Sequence, residues 1–169
     1  AIPRNFIPPV EKGVRQAASV GAVAGYPIED IRITLADGTD HEVDSSDMAF
    51  QIAGSMALRK AVMAAGPALL EPVMDVEVVL PEESLGGITG DINSRRGRVM
   101  GMEVRGKNQV LKAQVPLSEM FTYANDLRSI TGGRGMYTMR FSHYEEVPHK
   151  VALNIITQYQ ATRKQEEEQ

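Results

Sequence analysis

The sequence predicts an α+β chain: helix, strand hairpin and helix over the first 70 residues, a βαββαβ run to about residue 148, and a closing helix. Three observations carry this reading. Apolar residues recur at helical spacing in five segments, they alternate with polar ones in several others, and a break between about residues 67 and 72 separates two patterns that are each complete. The 169 residues suffice for one ordinary domain or two small ones.

The first helix spans residues 3 to 18, with Phe6, Ile7, Val10 and Val14 on one side, and Gly21, Gly25 and Pro27 end it. Ile31, Ile33 and Leu35 alternate with Arg32 and Thr34, and Asp37-Gly38 is a two-residue hairpin signal leading to His41 and Val43. Ser45 or Ser46 caps the second helix, and Asp47 lies near its positive end. The stripe of Met48, Ile52 and Met56, with Ala49, Ala53 and Ala57, is read as its core side, and Gly66-Pro67 stops it.

Beyond Pro72, Met74, Val76, Val78 and Leu80 form a strand, and Pro81-Glu82-Glu83 opens a helix with a Leu85, Ile88 and Ile92 stripe that ends before Gly97. Residues 98–105 and 109–116 read as strands joined through Gly106-Lys107-Asn108. Pro116 or Ser118 opens a helix carrying Met120, Phe121, Ala124 and Leu127, and after Gly132, Gly133 and Gly135 comes a last strand through Tyr137, Met139 and Phe141. This order is the ferredoxin-like split βαβ arrangement, with both helices expected on one face of the sheet and right-handed crossovers between parallel neighbours. A helix from Pro148 buries Val151, Ile155 and Ile156. The RKQEEEQ tail after Thr162 has no apolar anchor and is expected to fray.

No apolar run approaches the roughly 20 residues of a membrane span, and no secretory signal opens the chain. The absence of cysteine excludes disulfides and thiolate chemistry, and His41, His143 and His149 lack metal-ligand spacing. The opening IPRNFIPPVEKG reads as the middle of a fold, so the chain is expected to be a piece of a longer protein.

Gly101 to Lys107 fits the phosphate-cradling pattern GxxxxGK, but Asn108 replaces the hydroxyl residue needed on magnesium and the pair turns into another strand, so a hairpin is expected. Glu82/Glu83 and Glu145/Glu146 read as solvated carboxylates rather than acid–base pairs, and methionines 48, 56, 63, 120, 136 and 139 read mostly as core filler. The charge distribution is more informative. The chain carries a net −4, yet residues 94–134 hold Arg95, Arg96, Arg98, Arg105, Lys107, Lys112, Arg128 and Arg134 against three acids. Such a stretch suits phosphate contact, although no aromatic pair marks the strands as a base-stacking platform.

The segments HEVDSSDMAFQIAGSMALRKA (residues 41–61), LLEPVMDVEVVLPEE (69–83), GDINSRRGRVMGME (90–103) and QVLKAQVPLSEMFTYANDLRSITGGRGMYTM (109–139) resemble the C-terminal region of bacterial elongation factor G. The resemblance covers Ile2 to about Val151. It implies that residues 1–70 are the later part of the family's fourth domain, 71–148 its fifth, ferredoxin-like domain, and 149–169 a C-terminal helix and tail. It further implies a cytoplasmic GTP-driven translocase that moves tRNA and mRNA through the ribosome. The fourth domain then reaches tRNA, and the fifth lies on large-subunit rRNA near the stalk-base protein. GTP and magnesium belong to a GTPase domain of the parent chain that precedes Ala1, so the chain itself is expected to hold no cofactor and no catalytic residue. Arg95, Arg96, Arg98, Arg105, Lys107 and Arg134 are the expected rRNA contacts. Val104, where the family commonly has proline, and Leu85-Gly86-Gly87 in place of a bulkier run mark a divergent member. A ribosome-recycling paralogue is the alternative within the family, and a freestanding ferredoxin-like RNA-binding or regulatory module the alternative outside it.

Overall fold

The computed structural model describes residues 2–167. The chain divides into two units, residues 1–68 with 148–169 and residues 69–147, so the C-terminal helix belongs with the first.

In the first unit a short 3-10 turn, Arg4–Phe6, leads into α1 (Ile7–Val20), and α2 spans Asp47–Ala64. Ser46 caps α2 as its spacing predicts, accepting the Ala49 N–H at 3.1 Å. The two helices pack through glycine: a Cβ on Gly13 would lie 1.9 Å from the Gln51 carbonyl oxygen, and one on Gly54 would lie 2.7 Å from that of Val10. Val10, Ala17, Phe50 and Leu58 fill the contact, and Phe6 stacks on Phe50 with ring centroids 4.3 Å apart.

This contact overturns the expected core side of α2. The buried residues Phe50, Gly54 and Leu58 lie two positions from Met48, Ile52 and Met56, which is about 200° around the helix. The methionine stripe is therefore exposed, Met56 by 65%. The core-filler reading fails also for Met63, Met136 and Met139, and holds for Met120.

The expected hairpin after α1 is absent too. Residues 31–40 carry no strand pairing, Asp30 before them bends at φ 55°, and the turn falls at residues 42–44 instead of Asp37-Gly38. Ile31, Ile33 and Leu35 line a groove of about 440 Å³ with Ile7, Val10, Val14 and Ala18 of α1. The alternation does mark one face lying against a helix, but a ladder needs a neighbouring strand and the described residues supply none. α5 (His149–Glu167) continues through the segment expected to fray, with an Arg163–Glu167 pair at 2.9 Å one turn apart; residues 168 and 169 lie outside the described residues.

The second unit is the predicted βαββαβ fold: β1 (Leu70–Pro81), α3 (Leu85–Ser94), β2 (Arg98–Arg105), β3 (Asn108–Pro116), α4 (Tyr123–Thr131) and β4 (Met136–Glu146). The sheet order is β2-β3-β1-β4 and every neighbouring pair is antiparallel. The expectation of parallel neighbours is corrected, because β3 inserts between the parallel strands β1 and β2. Val76, Val78 and Leu80 of β1 and Leu111, Ala113 and Val115 of β3 turn one face toward Ile88, Ile92, Met120, Tyr123 and Leu127, so both helices cover the same side. Pro72 lies near the start of the central strand, in register with Tyr144 of β4 and ahead of the first β3 partner at Val73. Each edge strand carries one surplus residue, Met100 in β2 and Ser142 in β4.

Replacing Gly13 by alanine should force α1 and α2 apart. We expect a loss of about 1–3 kcal/mol in urea unfolding, with Gly66→Ala, which meets no neighbour but sits at φ 71°, as a control for backbone strain alone.

Candidate nucleic-acid interface

The basic stretch is built around the end of α3. Arg95 follows the last turn of that helix, and its side chain is only 10% exposed. Its Nε donates to Asp91 Oδ2 at 2.8 Å, Nη2 to Asp126 Oδ2 at 2.5 Å, and Nη1 to the Glu119 carbonyl at 2.6 Å. The guanidinium also lies 5.0 Å from the centre of the Tyr123 ring. One cation thereby joins the end of α3 to the start of α4. Bonds to Asp91, then to Asp126, hold its proton more tightly than usual, and Arg95 with Thr122 keeps the Asp126 carboxyl below the ordinary carboxylate range.

Arg96 sits in the left-handed region at φ 58°, a position that normally favours glycine. Its side chain explains the exception. It grips Glu71 through two parallel bonds of 2.6 and 2.9 Å and reaches Glu119 at 3.1 Å, so the backbone cost, about 1–2 kcal/mol, is offset by a two-pronged ion pair. Arg98, the first residue of β2, donates to Glu145 at 2.5 Å and to Gln114 at 3.2 Å and is 58% exposed.

The other three candidates lie at the opposite end of the sheet. Gly106-Lys107 is the turn of the β2–β3 hairpin, with Gly106 at φ 64°, so the GxxxxGK resemblance is strand–turn–strand. Arg105 bonds Glu103 at 2.8 Å and Glu77 at 3.3 Å, and Arg134 bonds Glu83 at 2.7 Å. Seven residue steps along β2, about 23 Å, separate Arg98 from Arg105. The structure therefore splits the six candidates into Arg95, Arg96 and Arg98 at one sheet end and Arg105, Lys107 and Arg134 at the other. Lys107 and Arg128 make no side-chain ion pair among the described residues.

Between the two ends, the helix-free face of the sheet holds a shallow depression of about 540 Å³, lined by Asp75, Glu77, Lys112, Gln114, Thr138 and Arg140. Each of its charges has an ion-pair partner: Arg140 with Asp75 at 3.7 Å within it, and Lys112 with Glu103 and Glu77 with Arg105, both at 3.3 Å, at its margin. Of the acidic pairs, Glu83 bonds Arg134, and Glu145 bonds Arg98 and the His143 ring, the latter at 2.7 Å. Among the described residues no cluster of three or more metal-ligating side chains occurs, and no helix is long and apolar enough to cross a membrane. The hydroxyl of Tyr123 is buried without a hydrogen-bond partner among them, and burial foremost raises its pKa.

The sequence pattern gives no sign of one further feature. Phe141 and Tyr144 form an exposed aromatic pair on β4, with centroids 5.2 Å apart. Residues three apart on a regular strand point to opposite faces, but the surplus Ser142 resets the alternation and brings the rings together. Only the bulge could have revealed it.

Two family models match the chain, one described as elongation factor G domain IV over residues 1–66 and one as elongation factor G C-terminus over residues 68–155. A relative named elongation factor G from Aquifex pyrophilus is 59% identical over 155 residues, covering 92% of this chain and 22% of its own length. A crystal structure from Thermus thermophilus superposes with a TM-score of 0.77 at 42% identity, over 95% of this chain and 24% of that one. The chain thus spans about a fifth to a quarter of the length of these relatives.

Arg95→Ala should cost about 3 kcal/mol in chemical unfolding, since it strands the partly buried Asp91 and frees both helix ends. Acid should have a graded effect. Glu83, Glu103, Asp126 and Glu145 all have lowered pKa values in the folded state, so the stability they contribute is complete above the ordinary carboxylate range near pH 4 and is lost as pH falls through their folded values. We expect the urea midpoint to hold steady from pH 7 to 5 and to drop toward pH 3.

Proposed function

The chain belongs to the elongation factor G family, and on that premise we propose that it forms the ribosome-facing part of a GTP-driven translocase of protein synthesis. In this reading the first unit works against tRNA, and the second docks on large-subunit rRNA beside the stalk-base protein. GTP and magnesium are held by a GTPase domain of the parent chain, whose hydrolysis drives movement of tRNA and mRNA in the cytoplasm. The observation that carries the reading is the 59% identity over nearly the whole chain, with the two family models falling in order on residues 1–66 and 68–155. The name of that relative favours elongation over the recycling alternative. Matches to two successive domains of one factor also weigh against a freestanding module.

The geometry divides the labour among the bases. Arg95 and Arg96 have spent their donors inside the protein and act on rRNA only by holding the surface in shape. Arg98, Arg105, Lys107 and Arg134 are exposed: Arg98 and Arg134 each make one surface ion pair, Arg105 two and Lys107 none, and they can turn to phosphate at little cost. Phosphate contacts of this kind position the domain without reading sequence.

In the intact factor, Arg98→Ala and Lys107→Ala should each lower ribosome affinity and shrink the salt dependence of binding by about 0.7–0.9 in the log–log slope, with unfolding unchanged. Arg96→Ala should instead lower the unfolding temperature. Unaltered affinity in both Arg98→Ala and Lys107→Ala would sink the rRNA assignment.

A further inference from the structure

The first rungs of the β1–β4 ladder carry an unusual pairing. Glu71 of β1 stands directly opposite Glu145 of β4 in register, next to the rung that pairs Leu70 with Glu146 and to the Val147 N–H bond to the Leu69 carbonyl at 2.8 Å. Like charges opposed across two strands destabilise the ladder. Here each is held by its own arginine from the junction of α3 and β2: Arg96 takes Glu71 and Arg98, the first residue of β2, takes Glu145. The two grips differ. Arg96–Glu71 is two-pronged, with side chains 26% and 13% exposed, whereas Arg98–Glu145 is a single contact between side chains 58% and 40% exposed. Leu69 and Val147 are also where the chain enters and leaves the second unit.

We propose that Arg98 and Glu145 form a polyanion-sensitive latch on the sheet end through which the chain enters and leaves this unit. A nucleic-acid phosphate that captures the Arg98 guanidinium leaves Glu145 with His143 alone as a side-chain partner, facing a Glu71 that Arg96 keeps in place. The opposed carboxylates then repel, the end rungs open, and the connecting segments gain freedom while the middle of the sheet stays closed. This rests on the phosphate-contact reading of Arg98 given above, and it adds what contact does: docking loosens the strand ends.

Hydrogen exchange of the full 169-residue chain tests it, comparing the Val147 amide with the mid-strand Val78 amide. Without nucleic acid, Arg98→Ala should speed Val147 exchange about fivefold and leave Val78 unchanged, and adding Glu145→Gln should restore the slow rate because the repulsion is gone. If Arg98→Ala leaves Val147 unchanged, or Glu145→Gln does not restore it, the latch is refuted whatever the chain binds. With saturating poly(A)·poly(U) duplex, the unaltered chain should show the same selective acceleration. Binding without acceleration overturns the latch but spares the phosphate reading, while no binding at low salt overturns the phosphate reading and with it the trigger.

Discussion

A guanidinium group clamped between two carboxylates and a ring face determines how the second unit holds together. Arg95 reaches Asp91 one turn back on its own helix, then Asp126 and the Glu119 carbonyl at the start of the other, and its flat side rests over Tyr123. Both helices must cover the same sheet face for these bonds to form, and that face then encloses Ile88, Ile92 and Leu127. Lysine could not do this, because a point charge with three rotating donors lacks the planar fork that fits two carboxylates and a carbonyl at once. The hub also constrains the residues after it. With Arg95 fixed, the next residue must turn through a left-handed conformation, and Arg96 and Arg98 emerge aimed at the ends of β1 and β4.

The first unit is organised on the opposite principle, by the absence of side chains. Gly13 and Gly54 let two helix backbones approach closely, and this chooses which face of α2 is buried. Area of contact between backbones wins over the larger apolar stripe on the far side. The exposed stripe and the unpaired segment 31–35 both accompany an α1–α2 contact that buries Val10, Ala17, Phe50 and Leu58.

These two principles explain how much of the molecule was legible in the sequence. The βαββαβ order was readable because alternation in β1 and β3 and the i+4 spacing of Ile88 and Ile92 each report a one-sided core, and the turn residues fall between them. The face of α2 was not readable, since hydrophobic periodicity says that a stripe exists but not which neighbour arrives first. The basic cluster was visible as composition, but its meaning was not. Which arginines are consumed inside the protein depends on Glu71, Glu119 and Asp126, residues 23 to 31 positions away that only the fold brings within reach. The Phe141–Tyr144 pair stayed hidden for a related reason, because a single surplus residue changes the parity of everything after it.

That surplus residue, and its counterpart Met100 on the other flank, have a consequence for how the molecule behaves in a crowd. The outer strands of an open sheet offer free backbone donors and acceptors to any extended chain that comes near, and here both outer strands also expose apolar side chains such as Met102, Val104 and Phe141. A newcomer pairing with either strand would find the register slipping by one partway along, so its hydrogen bonds could match one half or the other but not the whole. A bulge on each flank thus blunts both outer strands as templates for a continuous fifth strand.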